Sequence, residues 1–171
     1  MKRSLIFCSL IFCCCFSLSA FDTSALQISI WAPKAQLVPE KIDISGLKLN
    51  LPYGSNNNAA GLDLGLVSIN GNTSALQVNL FNRAGDNFSG LQVGLINLSG
   101  ASSGISVSLF NSAESISRGV DVALFNTALE HRGVQIGLLN YCEFLTGFQI
   151  GLINVVTRST VPFFPIINFC F

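Results

Sequence analysis

An internal repeat of 14 or 15 residues runs through most of this chain and constrains its fold more than any other feature. The unit reads Gly-Leu-Gln-Val-Gly-Leu-Ile-Asn at 90–97 and recurs without a long break. Its eight copies begin at Gly46, Gly61, Ala75, Gly90, Gly104, Gly119, Gly133 and Gly147. Segments 25–33 and 163–171 look like degenerate copies at the two ends. Such an array predicts one small structural unit repeated many times.

Each unit has two unlike faces. Its second, fourth and sixth positions are apolar in every copy, its third is polar in every copy, and its fifth is small or polar. The eighth is Asn in the last six copies, and turn residues such as Asn70-Gly71 follow the unit. Alternation at a period of two is typical of a β-strand with one buried face, and no helical period of 3.6 competes with it. The sequence predicts an all-β fold with the three apolar columns in its core.

Two architectures fit these strands. An antiparallel up-and-down barrel-like meander of about ten strands would combine the eight units with the two end segments. The alternation of 15- and 14-residue spacings favours this barrel, because a meander has two kinds of turn. The alternative is a β-solenoid, in which parallel units stack and the Asn column forms a ladder. The two architectures differ at Asn97 and Asn111, which would be far apart in the barrel and one rung apart in the solenoid.

The chain begins like an exported protein. Lys2 and Arg3 precede an apolar run at 5–18, and small residues near Ala20 suit signal-peptidase cleavage. We therefore expect a signal peptide at 1–20 and a single all-β repeat domain at 21–171. Removing the leader takes four of the six cysteines and leaves Cys142 and Cys170, which either pair or stay free. The remaining chain has a small acidic excess and no basic stripe, so nucleic acid is not an expected partner.

These residues resemble a bacterial surface-repeat family whose units read Gly-Leu-Gln-Leu/Val-Gly-x-x-Asn, found in spirochaetes and other Gram-negative bacteria. The resemblance covers nearly all of the predicted domain, including 26–31, 46–54 and 163–168. Three copies depart from the pattern, because Asn79, Ser108 and Ala123 replace the second glycine. The resemblance implies an envelope location and supplies no active-site residues.

The sequence predicts no catalytic, cofactor-binding or metal-binding residue, and we expect neither an enzyme nor a bound cofactor. His131, the only histidine, follows Glu130 in a predicted turn and is interpreted as a solvated residue. A Ser-His-Asp triad needs a particular serine held against this imidazole, and nothing in the sequence selects one. A zinc site needs several His or Cys at ligand spacing, which His131, Cys142 and Cys170 do not provide.

The remaining polar candidates have ordinary interpretations. Asp63 and Asp121 lie four repeats apart in the polar column and are read as solvated or hydrogen-bonded wall residues rather than as paired acids or calcium ligands. Glycosylation acceptor patterns begin at Asn72, Asn87 and Asn97, and the last belongs to the repeat column.

The chain end resembles the last strand of outer-membrane barrels, because Ile167, Phe169 and Phe171 alternate up to the terminus. An outer-membrane barrel needs an apolar belt of about 25 Å. Three alternate residues per unit cover only about 13 Å of strand. A protein-facing apolar face is therefore favoured over a lipid-facing one.

Two function classes follow from these observations. The first is a non-enzymatic cell-envelope or surface repeat protein with a structural or interaction role and an unknown envelope or host-surface partner. The alternative is a small outer-membrane β-barrel acting as a pore or anchor, and a small barrel that binds an apolar ligand is a third idea. The expected location is the outer membrane, the cell surface or the periplasm.

Overall fold

The computed structural model describes residues 23–171, which contain strands and no helix. The predicted signal peptide at 1–20 lies outside these residues. The strands are β1 (Thr23–Trp31), β2 (Ala35–Gln36), β3 (Asp43–Val93), β4 (Ile96–Val107), β5 (Phe110–Val122), β6 (Phe125–Val156) and β7 (Phe163–Cys170). None of this part of the chain forms a helix long and apolar enough to span a bilayer.

Successive repeats pair in parallel, so each repeat makes one coil of a β-solenoid. Asn97 of β4 lies opposite Asn111 of β5, and Asn111 lies opposite Asn126 of β6. The long strands β3 and β6 continue through several coils. The all-β prediction is confirmed. The antiparallel barrel-like meander of about ten strands is wrong, and the fold is the alternative, the solenoid.

The alternation of 15- and 14-residue units has a different cause from the one that favoured the barrel. Ala84 pairs with Ser99 and Asn87 pairs with Ala101, so one coil has an extra residue between its two paired positions. The same shift recurs where β4 meets β5 and where β5 meets β6. The 15-residue coils that begin at Ala75 and Gly104 therefore have a bulge at the same edge of the solenoid, and the strands do not reverse direction.

The faces of the strands are the reverse of those expected from hydrophobicity. Gln92 and Asn97 are 1% and 2% exposed, whereas the apolar Leu95 between them is 48% exposed. The same holds in the other units: the third position faces inward in every copy, the eighth faces inward in all but the first, and the second, fourth and sixth face outward. The prediction of a core built from the three apolar columns is wrong. Alternation defines which residues share a face, but it does not say which face is buried.

The Asn column holds neighbouring coils together. The side-chain amide of Asn126 donates to Oδ1 of Asn140 and to the carbonyl oxygen of Ile136, both at 2.9 Å. Equivalent amide-to-Oδ1 bonds of 2.8 to 3.1 Å link the whole column. Its members are Asn82, Asn97, Asn111, Asn126, Asn140 and Asn154. The ladder satisfies a backbone carbonyl in each coil where the strand is about to bend.

Two glycine columns make this close stacking possible. A side chain at Gly119, whose φ is +116°, would overlap the carbonyl oxygen of Gly104 in the preceding coil. A Cβ at Gly94 would lie 2.8 Å from both the Asn82 Nδ2 and the Asn97 Oδ1 atoms. The glycines are therefore packing residues, and those at the fifth position leave room for the Asn ladder.

The two end segments have different roles. Segment 25–33 is the first coil, because β1 pairs in parallel with β3 through Gln27 and Lys48. Segment 163–171 is not a further coil, since β7 runs antiparallel to β6 and pairs Phe169 with Phe148. Short β2 covers part of β1 at the other end. These strands reduce the open sheet edges of the stack.

Replacing Asn126 by Ala tests the ladder. We expect Asn126→Ala to lower the free energy of unfolding by about 2–3 kcal/mol, because buried groups on both neighbouring coils lose their partners. Thr127→Ala, at the outward-facing next residue, is the control and should change it by less than about 0.5 kcal/mol. Urea unfolding followed by circular dichroism measures both, and equal effects would contradict this assignment of inner and outer faces.

Candidate functional site: an apolar ridge around a polar interior

One outer corner of the solenoid is covered by apolar side chains along its whole length. The strands bend at the fifth and sixth positions of the unit, as at Gly94-Leu95 and Ser108-Leu109. Four columns surround this bend, at the second, fourth, sixth and seventh positions, and we call them the apolar ridge. All of its members in the eight units are apolar, and none is buried. The sixth column consists of Leu51, Leu66, Leu80, Leu95, Leu109, Leu124, Leu138 and Leu152.

The ridge extends into both ends of the structure. In the first coil, Ile30 and Trp31 continue the ridge and are 64% and 60% exposed, with Trp31 opposite Tyr53 of the next coil. At the other end, the ring of Phe148 lies 6.5 Å from that of Phe169 and 5.3 Å from that of Phe171. The aromatic residues of β7 therefore continue the apolar surface beyond the last coil.

Most charged side chains lie away from the ridge. In the eight units they are inside the solenoid or on the outer edge opposite the bend, which we call the polar edge, except Arg83, which lies two residues beyond Phe81 on the wall of the seventh column. The polar edge holds Asp86, Glu114, Arg118, Glu130, Arg132, Glu143 and Arg158. Counted together with Arg83, these charges are balanced in sign and present no strong field of one sign.

The backbone at the ridge is hydrogen-bonded within the protein. The Leu109 amide donates to the Leu95 carbonyl at 3.0 Å, and the Ser108 amide donates to the Val122 carbonyl at 3.0 Å. That Val122 carbonyl also accepts from the side chain of Asn111 at 3.3 Å. These backbone groups of the corner are hydrogen-bonded from one coil to the next and do not depend on water.

A charged pair is enclosed near the first full coils. Asp63 accepts hydrogen bonds from Asn50, Ser68 and Gln77 at 2.6 to 2.9 Å. The Lys48 ammonium donates to Ser68 at 3.3 Å and also contacts Asn70. Burial lowers the pKa of Lys48 to about 8, while Asp63 and Glu40 oppose this shift. The Lys48 ammonium is therefore bound by the neutral side chains of Ser68 and Asn70 rather than by a direct ion pair with Asp63.

A second polar cluster joins residues that the sequence did not link. Ser117 donates to Oδ2 of Asp121 at 2.6 Å, and Nδ1 of His131 lies 3.3 Å from the same oxygen. His131 is fully buried, so its interpretation as a solvated turn residue is wrong. His131 lies two residues before the next unit. The residue at this position points inward in every coil.

The cluster lacks the order of a hydrolytic triad. A nucleophilic serine must be hydrogen-bonded to the histidine, whereas Ser117 is bonded to the carboxylate. Ser117 and His131 are 1% and 0% exposed, so a substrate has no access to them. Asp121 and Asp63 are four coils apart, about 19 Å, and do not form a pair of acids. The interpretation of Asp63 and Asp121 as hydrogen-bonded wall residues is confirmed, and their interpretation as solvated residues is wrong.

A small polar cavity of about 10 Å³ lies between Gln92 and Asp121. It exists because Ser106 is too short to continue the ladder in which Gln92 donates to Gln77 at 3.1 Å. Its volume matches one water molecule. Within residues 23–171, no group of three or more His, Cys, Asp or Glu side chains could hold a metal ion.

The remaining candidates lie in ladders or in a small apolar cluster. Asn97 is buried in the Asn column, while Asn72 and Asn87 are exposed and bonded to each other at 3.0 Å on the polar edge. Cys142 packs with Leu145, Val156 and Cys170, and both thiols are free. Burial, and to a lesser degree Cys170, raises the pKa of Cys142 to about 12.

The ridge itself was missed because the sequence was read with hydrophobic residues inside. One signal pointed the other way. The seventh position is apolar in every copy, next to the apolar sixth position, and two adjacent apolar residues cannot both face the same core from a regular strand.

The lowered pKa of Lys48 gives a pH-dependent prediction. The unfolded chain binds a proton on this lysine up to about pH 10.5, but the folded chain only up to about pH 8. Wild-type stability relative to Lys48→Met should therefore rise between these values, by up to about 3 kcal/mol. Urea unfolding of both proteins from pH 7 to 11 measures the difference. A difference that stays constant or falls with pH would contradict the burial of this charge.

The two thiols should differ in reactivity. At pH 8 we expect N-ethylmaleimide to modify Cys142 at least about tenfold more slowly than Cys170, because the thiolate is the reactive form and Cys142 is both buried and protonated. Mass spectrometry of the processed protein measures the two rates, and urea should abolish the difference. Cys170→Ser is the control and should leave the folded protein almost unlabelled. Rapid labelling of Cys142 in the folded state would contradict its position.

Comparison with protein-family models, with curated proteins and with solved structures gave no match for this chain. The β-solenoid and its ridge therefore stand on the residues and contacts of this chain alone.

Proposed function

We propose that this chain is an exported, non-enzymatic protein of the bacterial cell envelope with a structural or interaction role, and that the apolar ridge is its working surface. The observation that carries the proposal is the exposure of four uninterrupted apolar columns, with Leu80 at 52% and Leu109 at 51% in the central one. Exposing leucine to water at this level in every coil is unfavourable, and burial against a binding partner would remove this cost.

The size of the ridge supports an interaction surface. Nine coils at a rung spacing of about 4.8 Å give a length of about 38 Å. Five residue steps of about 3.3 Å give a contour width of about 17 Å, and hence an area near 650 Å². The largest apolar patch on an ordinary monomer is about 300–600 Å². The ridge is at or above the upper end of that range and has no charged residue within it.

The interior supports a structural rather than a catalytic role. Its carboxylates, amides and hydroxyls are used in contacts between coils, as when Asp63 accepts from Gln77 at 2.9 Å and Gln149 donates to Gln135 at 2.9 Å. Catalysis requires a reactive group that a substrate can reach. The titratable side chains Asp63, Asp121 and His131 are each 5% exposed or less.

The envelope location comes from the sequence. The basic start, apolar run and small residues of 1–20 support export, and the repeat unit supports membership of the surface-repeat family. The alternative of an outer-membrane pore depended on a barrel, and the solenoid removes its basis.

Fractionation of the native host tests the proposal. We expect the protein in the envelope fraction with its N-terminus near Ala20 or Phe21. The double variant Leu80→Asp/Leu109→Asp should shift to the soluble exported fraction, because both changes place charge on the ridge without touching the interior. Recovery of intact Met1 in the soluble cytoplasm would contradict export.

The matched control is Ser74→Asp/Ser103→Asp. These exposed serines lie two coils apart on the polar side, as the two leucines do on the ridge. The control should remain in the envelope fraction. If both double variants distribute like the wild type, the ridge is not the working surface.

A further inference from the structure

We infer that the apolar ridge lies in the interfacial region of a phospholipid bilayer, with the solenoid axis parallel to the membrane plane. This inference rests on the proposed interaction role and names its partner. Three observations on the ridge carry it: its shape, the backbone hydrogen bonds at its bend and the placement of charge around it.

The shape of the ridge favours a fluid partner. Its columns lie on two walls that meet at the bend, with the second and fourth positions on one wall and the seventh on the other. The surface is therefore convex. Two copies of a convex ridge would touch along a line near the leucine column and leave both flanks in water. Lipid chains and headgroups can surround both flanks at once.

The backbone of the ridge suits an apolar environment. A polar backbone group without a partner costs several kcal/mol in hydrocarbon, so only internally bonded structures enter it. At the bend, the amides of Leu95, Leu109 and Phe125 each donate to a leucine carbonyl of the preceding coil at 2.8 to 3.0 Å. The carbonyls of Val107 and Val122 each accept a second bond from the Asn ladder. These backbone groups of the bend need no water to complete their hydrogen bonds.

The depth of the ridge fits the interface rather than the bilayer core. From the sixth position back to the second is four residue steps, about 13 Å along a strand. Tilt of the wall makes the depth smaller, close to the 5–10 Å by which amphipathic elements enter the headgroup boundary. A spanning element would need about 30 Å. The polar edge, with Glu114, Arg118 and Arg132, then lies on the aqueous side.

The charge distribution predicts the kind of membrane that is bound. Because the polar edge and Arg83 are together balanced in sign, and the polar edge lies opposite the ridge, apolar burial rather than attraction to anionic lipid would drive binding. Binding should therefore occur on zwitterionic phosphatidylcholine and resist salt, since salt screens charges but does not weaken apolar burial.

The single tryptophan of the chain provides a built-in probe. Trp31 lies on the outer face of the first coil, opposite Tyr53, and is 60% exposed. On binding to vesicles, its emission should shift to shorter wavelength. Phosphatidylcholine brominated on the upper part of its acyl chains should quench it more strongly than lipid brominated near the chain ends.

Flotation with phosphatidylcholine vesicles tests the inference on protein purified from its host and freed of detergent. We expect the wild type to float with the vesicles equally well in low salt and in about 0.5 M NaCl. Leu80→Asp/Leu109→Asp should partition at least about tenfold less, whereas Ser74→Asp/Ser103→Asp should behave like the wild type. Circular dichroism and urea unfolding check that both variants are folded.

The other outcomes separate this inference from the proposed function. If the wild type does not float but forms a dimer that Leu80→Asp/Leu109→Asp dissociates, a second copy covers the ridge; the lipid inference is then wrong and the interaction role stands. If it floats only with anionic lipid at low salt, charge rather than the ridge binds the membrane, which also overturns the inference. If it neither floats nor associates, and the ridge variant fractionates like the wild type in cells, both proposals are wrong.

Discussion

The contact on which this structure depends is the amide ladder between coils. Each Asn of the eighth column from Asn82 to Asn140 donates to the next Asn and to a backbone carbonyl at the bend, so one side chain forms two kinds of hydrogen bond. The distances of 2.8 to 3.1 Å recur because the coils are related by an almost constant translation. Where the fifth position is not glycine, Asn79 and Ser108 join the ladder by donating to Asn82 and Asn111. Hydrogen bonds in such a chain support one another, and a single missing member exposes groups on both sides.

A polar interior changes what stabilises the fold. In most domains burial of apolar side chains supplies the main favourable term, but here the interior columns hold Gln, Asn, Ser and Asp and the leucines are outside. The interior is narrow enough for a side chain on one wall to reach the next coil, as Gln92 reaches Gln77. Stability must come from the saturated backbone and side-chain ladders, together with packing along the outer columns. Folding therefore leaves the leucines exposed to water, and a binding partner would be needed to cover them.

Much of this architecture could be predicted from the sequence, but which face of the strands is buried could not. The repeat, the strands and the Asn column were all visible, and the correct solenoid was one of the two architectures that fitted. The barrel was favoured because the 15/14 spacing suggested two rims, whereas Gly85 and Asp86 show that the extra residue is a bulge in one turn. The inside and outside were assigned by hydrophobicity, and alternation alone cannot correct that assignment. His131 and Asp121 were individually visible, but only the stacking of consecutive coils brings them to 3.3 Å.

The outward-facing columns differ in how variable their residues are from one repeat to the next. In the last seven copies the ninth position also faces outward, yet it holds Ile69, Arg83, Leu98, Ser112, Thr127, Tyr141 and Val155. The sixth position is equally outward and is Leu in all eight copies. Leu95 and Leu138, each 48% exposed, project away from the interior. A single apolar surface in contact with the whole ridge would contact all eight leucines of the sixth column.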